Sequence, residues 1–231
     1  MLEPAPLVRP HATADSLTHT AFYHVALKCP AAPDIACGSG SKPVLTDLER
    51  IAGVAGVWLH RSGTVLAVQW QPSTTATQRL ALVNQVLVVN GTVGTLLAHL
   101  PREAEESLGD SKAWYDSDRL DSLTQEEADI IAHRLLHRLE ARAAITHEQQ
   151  FAFLEQFTHI FVRHFAVSTA ALRTISGAAR VAELNEEILL SSLPSFAGPL
   201  GAALATGYLP EPGDPDYSNA PVADCCTIEG L

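Results

Sequence analysis

The alternation of apolar and polar positions becomes regular only after the first twenty residues, which mix Pro, Ala, Thr and His without a period and read as a flexible lead. Residues 21–29 (AFYHVALKC) have the texture of a buried strand. Ser41 then reads as a helix N-cap with Pro43 close to the first turn. Val44, Leu45, Leu48 and Ile51 keep the three-and-four spacing of one buried helical face. Residues 54–60 and 64–70 are β-prone runs separated by Arg61, Ser62 and Gly63, which predicts a hairpin with glycine where a positive φ is needed. An amphipathic helix from about Thr75, carrying Leu80, Val83 and Leu87 inward, and one further strand within residues 90–100 complete the series. Strand, helix, two hairpin strands, helix and strand is the order of a split βαβ, so the fold class expected is α+β, a ferredoxin-like domain followed by an α-helical region.

The second half has a helical period. Thr124 with Glu127, and Thr146 with Gln149, have capping-box spacing and each opens a helix of about five turns. Ala128, Ile131, Leu135 and Leu139 form the apolar stripe of the first helix. Phe151, Leu154, Phe157 or Thr158, Phe161 and Phe165 form that of the second, and the two stripes are expected to face each other. A third helix is expected over 168–191, with Leu172, Ile175, Val181, Leu184 and Ile188 inward, and from Leu193 onward recurrent Pro and Gly predict an irregular tail. The division expected is therefore a lead (1–20), an α+β domain (21–100), a helical region (101–192) and a tail (193–231).

Composition narrows the function. With 47% hydrophobic residues in 231, the chain can bury a proper core. A net charge of −11 excludes nucleic acid or an anionic membrane as the main partner, because those surfaces select clustered Lys and Arg. The acid concentrates in residues 101–130, a solvated face or a dock for a basic protein partner. No basic start precedes an apolar run at the N-terminus and no stretch reaches about 18 apolar residues, so neither a secretory signal nor a membrane span is expected. That places the chain in the cytoplasm, where thiols serve as metal ligands, redox groups or packing in preference to permanent disulfides.

Four cysteines carry the candidate chemistry. Cys29 and Cys37 bound the segment CPAAPDIAC, whose two prolines restrict it so that the sulfurs can converge. Cys37 opens the run Gly38-Ser39-Gly40-Ser41-Lys42, where backbone N–H groups, a helix start and a cation favour thiolate over thiol. Thiolates select Cu(I), Zn(II) or Hg(II) over hard ions such as Mg or Ca. Plain packing of both cysteines is the competing reading. Cys225 and Cys226, adjacent to each other after a Pro- and Gly-rich stretch, have little core to fill, and a tethered dithiol visits a second site at high effective concentration.

In its order of elements, the segment 21–100 resembles the heavy-metal-associated domains of metallochaperones. That resemblance implies capture of a thiophilic ion by cysteines of the first strand-to-helix loop, with CPAAPDIACG standing where that family has GMTCxxC. Cys225 and Cys226 are similar to the vicinal cysteine tail of mercuric reductases, which implies hand-over of metal to a buried site.

Among ten histidines, His133 and His137 lie four apart on one helical face, close enough to share a metal ion, but that face lies opposite the apolar stripe, so exposed histidines without a ligand role are the competing reading, and HxxxH without a central glutamate lacks the base of a zinc hydrolase. His24, His159 and His164 are weaker ligand candidates. Glu126 and Glu127 are expected on a solvent-facing surface, Trp58 and Trp70 in the core, and Trp114-Tyr115 as an anchor between the two halves. Three functions remain open on these grounds. The first is binding, sequestration or transfer of a soft metal ion by Cys29, Cys37, Cys225 and Cys226. The second is a thiol-disulfide oxidoreductase or detoxifying reductase component, with Cys37 attacking a thiol partner and the tail pair resolving. The third is a non-catalytic module docking through the acidic helical face.

Overall fold

The computed structural model describes residues 19–192 and 197–217. In chain order, the first half carries β1 (Thr20–Val25), β2 (Lys28–Cys29), β3 (Ala32–Ala36), α1 (Gly38–Glu49), β4 (Val54–His60), β5 (Val65–Trp70), α2 (Ala76–Val89) and β6 (Gly94–Leu96). There follow α3 (Arg102–Glu106), β7 (Trp114–Tyr115), α4 (Leu120–Glu140), α5 (His147–Phe165), α6 (Thr169–Thr174), α7 (Gly177–Ser191) and α8 (Ala197–Ala205). The class is α+β. Contacts group the chain into two compact units, Met1–Leu27 with Ser41–Leu120, and Lys28–Gly40 with Asp121–Leu231. The cysteine segment is thereby grouped with the later helices, away from the strand that leads into it.

The first unit is built on an antiparallel sheet of order β6-β1-β5-β4-β7. Its central strand β5 is buried along nearly its whole length. Gly63, at a φ of +70°, closes the β4–β5 hairpin at the position the sequence marked for it. Thr75 and Gln78 form a complete capping box at the start of α2, which buries Val83 and Leu87. Trp58 and Trp70 lie in the core. Trp114 and Tyr115, expected as an anchor, add a short fifth strand beside β4, pairing with His60 and Leu59. The strand expected over 21–29 is also cut short. β1 stops at Val25, and Lys28 and Cys29 pair instead with β3 in a separate two-stranded sheet.

In the second unit, α4 and α5 bring together the stripes expected of them. Ile131, Leu135 and Leu139 share one cluster with Phe157 and Phe161, which Leu184 and Ile188 of α7 and Leu200 and Leu204 of α8 complete. Phe161 and Phe165 stack with ring centroids 4.6 Å apart. Phe151 departs from the expected stripe and is 67% exposed. The single helix expected over 168–191 is two helices, because both Ser168 and Ser176 cap with their side chains, on Ala171 N–H and Ala179 N–H, and Ile175 between them is extended. The tail is not irregular throughout, since α8 buries Leu200, Ala203 and Leu204. No described helix is long and apolar enough to cross a membrane.

Candidate metal centre

The hairpin of β2 and β3 sets the geometry. Lys28 lies opposite Ala36, and the residue following each of them is a cysteine; an irregularity then shifts the register so that Cys29 faces Ala32. Directly after Cys37, α1 begins at Gly38, four residues earlier than an N-cap at Ser41 predicted. The sulfur explains the difference. Cys37 Sγ accepts the Gly40 N–H at 3.4 Å, the bond that an N-cap side chain makes to the third helical residue, so the cysteine takes the role assigned to the serine. Ser39 Oγ lies 3.7 Å from the same sulfur.

The third member of the cluster comes from α4. That helix starts at Leu120, so Thr124 sits inside it and is no cap, and Glu127, expected to face solvent, is 2% exposed. Its Oε1 accepts the Gly38 N–H at 3.2 Å, satisfying one of the orphan donors at the start of α1. The sulfurs of Cys29 and Cys37 and a carboxylate oxygen of Glu127 all lie within 4.8 Å of one another. Cys29 is buried and Cys37 partly exposed. Both buried groups hold their protons strongly. The hydrogen bond with Cys37, burial and the Glu127 charge together push the Cys29 thiol well up. Burial, reinforced by the Cys37 charge and opposed by the Gly38 N–H, raises the Glu127 carboxyl well above the usual carboxylate range.

Two buried arginines hold this arrangement from behind. Arg134 and Arg138 are four apart on α4, and Arg134 is seven beyond Glu127, so all three share a helical face. Arg134 donates to Ala31 O at 2.7 Å, inside the cysteine hairpin, and also to Tyr208 O and the Asp216 carboxylate. Arg138 pairs with Asp214 at 2.5 Å and donates to Gly207 O and Leu209 O, both at 2.7 Å. The cysteine hairpin and the segment 206–217 are thus fastened to the helix that carries Glu127.

Of the residues singled out in the sequence, Cys29 and Cys37 meet, while Cys225 and Cys226 lie outside the described residues. His133 and His137 are exposed and do not join the thiol cluster; His133 Nδ1 is bonded to Asp129 O at 2.7 Å. In AHRLLHR the buried polar positions are therefore the arginines. His24 is exposed on β1, His159 is exposed on α5, and His164 pairs with Glu187 at 2.9 Å. Glu127 was missed because its spacing from Thr124 imitates a capping box. The signal that could have found it is its place four residues before Ile131, on the apolar side of α4.

The donor set suits a soft or borderline ion. Zn–S bonds of about 2.3 Å in tetrahedral geometry put two sulfurs roughly 3.8 Å apart, so a small inward closure of the present cluster would seat an ion. Two thiolates and a carboxylate sum to −3, which cannot persist uncompensated in an apolar cluster and which a divalent cation reduces to −1. Thr124, fully buried one turn before Glu127, has no hydrogen-bond partner for its hydroxyl among the described residues, a further polar atom for which the apolar packing gives no reason. Gly40 is the cradle: a Cβ there would stand 3.1 Å from Cys37 Sγ. Gly40→Ala is expected to weaken Zn(II) binding by about tenfold. The melting temperature of the metal-free chain should not fall, because Ala is the better helix former by about 1 kcal/mol. Competition with a chromophoric chelator and a thermal melt check the two halves of this expectation. No profile of a known protein family, no curated protein and no solved structure matches this chain, so its chemistry is argued from the site alone.

Proposed function

We propose that the chain is a thiol-dependent binding and transfer protein for a soft or borderline metal ion, held by Cys29, Cys37 and Glu127. The observation that carries the reading is the convergence of two sulfurs and a carboxylate oxygen within 4.8 Å, from residues up to 98 positions apart in sequence. Three protein donors are one fewer than the closed four-ligand shell of a structural zinc site. They leave a position for an exchangeable ligand, and Cys37 lies at the partly exposed side of the cluster, where a partner thiolate could enter. The strand order β6-β1-β5-β4 of the first unit further supports a ferredoxin-like reading of its sheet, with the cysteine hairpin inserted between first strand and first helix. A reducing compartment such as the cytoplasm would keep the thiols available.

Anaerobic titration of the reduced chain with Zn(II), Cu(I) and Hg(II) tests the proposal. The expected result is one ion per chain at this site. Cys29→Ser and Cys37→Ser should each weaken binding by at least about 100-fold, beyond the 10–100-fold typical of groups that only support a ligand. Glu127→Gln should weaken Zn(II) more than Cu(I), because the softer ion depends less on oxygen. If both serine variants bind every ion as tightly as wild type, the reading is wrong.

A further inference from the structure

We propose that Cys29 and Cys37 are also a redox pair that closes to a reversible disulfide, and that closure empties the metal site. Lys28 and Ala36, the residues just before the two cysteines, are antiparallel partners at a Cα spacing of roughly 5 Å, which ties together the two ends of the cysteine segment. Their sulfurs lie within 4.8 Å, so a shift of the side chains and of the short hairpin brings them to bonding distance. The two thiols are unequal. Cys37 is partly exposed at the start of α1, with the Gly40 N–H directed at its sulfur, whereas Cys29 is 5% exposed inside the apolar cluster. Cys37 is therefore the thiol that meets an oxidant, and Cys29 the one that resolves.

With a low-molecular-weight disulfide as oxidant, the steps balance. The Cys37 thiolate attacks one sulfur of the small disulfide, forming a mixed disulfide and releasing one small thiolate, which takes up the proton lost by Cys37. Cys29 sulfur then attacks Cys37 Sγ, the Cys29–Cys37 bond forms, and the second small thiolate leaves with the Cys29 proton. Two protein thiols are oxidised by two electrons, and one disulfide is reduced to two thiols. An ion held at the site loses both sulfur ligands and keeps only Glu127, too few to retain a soft cation. This release rests on the metal reading; the disulfide itself does not.

The test uses the full chain with Cys225→Ser and Cys226→Ser, so that only the two hairpin thiols remain, treated with glutathione disulfide and mapped by peptide mass spectrometry. The expected product from metal-free protein is a Cys29–Cys37 crosslink, seen as the loss of two hydrogens and reversed by a reductant. Cys29→Ser, or Cys29→Ala should the serine variant not fold, is expected to stop at one glutathione on Cys37. In Cys37→Ser, Cys29 should react at least about tenfold more slowly, since buried thiols are inert. Zinc-loaded protein is expected to release one ion per crosslink to a chromophoric chelator. A stable glutathione adduct on Cys37 with no crosslink when Cys29 is present overturns the pair. A crosslink that leaves the ion bound overturns the release. A chain that crosslinks but never takes up zinc removes the metal reading and leaves the disulfide standing.

Discussion

Arg138→Ala is expected to destabilise the second unit by about 3–5 kcal/mol, the usual effect of removing one partner from a buried ion pair. The melting temperature should fall by about 10 °C, followed through the helical circular dichroism band. The side chains of Arg138 and Asp214 are each 5% exposed, so the truncation strands a buried carboxylate, which among the described residues keeps the Glu211 N–H at 2.7 Å. It also leaves the carbonyls of Gly207 and Leu209 without their donor. Replacing both partners with apolar groups, Arg138→Met with Asp214→Leu, should recover most of the loss, because what is costly is the unpaired charge and not the missing pair. If the single variant melts within a degree of wild type, the arginine clamp does not hold the segment 206–217. Because Arg134 on the same helix fastens Ala31, a clamp variant that still folds should also bind metal less tightly.

The metal-free chain is expected to lose stability as pH rises above the ordinary carboxylate range, and Glu127→Gln to remove much of that loss. The folded-state carboxyl of Glu127 lies well above its unfolded value of about 4.3, so the native state holds a proton that the unfolded chain has released. Its stabilising contribution is complete below the unfolded value and disappears as pH climbs through the raised one. Cys29, also shifted upward, extends the same trend to higher pH. Asp214 acts in the opposite sense. Burial pushes its carboxyl up, but the bonds from Arg138 and the Glu211 N–H outweigh this and hold it below the ordinary range, so its contribution is present above the unfolded value and lost on acidification. Metal reverses the alkaline limb. Binding requires the ligands deprotonated, so the rise in melting temperature on adding Zn(II) should grow with pH. Thermal melts of wild type and Glu127→Gln across the pH range, with and without Zn(II), check this. A metal-free wild-type profile with no fall on its alkaline side, above the range in which Asp214 acts, would contradict the protonated cluster.

Much of the backbone was legible because local rules were obeyed. The helix start near Thr75, the capping box at Thr146, the hairpin turn at Gly63 and the stripes Ile131, Leu135 and Phe157, Phe161 were all found where spacing placed them. The errors share a form: a local signal was displaced by a longer-range partner. Ser41 lost the cap to Cys37, whose sulfur was better placed for the Gly40 N–H. Residues 28 and 29 left the first strand because β3 offered them a ladder. Glu127 looked like the end of a capping box and became a buried acid, once α4 extended a turn earlier and carried it inward.

By itself the order of residues determined that two cysteines would bracket a short, proline-restricted segment ahead of a helix, and that a helical pair with an aromatic stripe would follow. Those are consequences of spacing within a few turns of chain, where period and capping dominate. Only the tertiary structure decided that the carboxylate of Glu127 joins the sulfurs, that Arg134 and not His133 faces inward, and that Asp214 and Asp216 neutralise the clamp. Such choices depend on which charges can be buried together. That balance of desolvation against pairing is settled between residues some 75–90 positions apart, where no local pattern reaches.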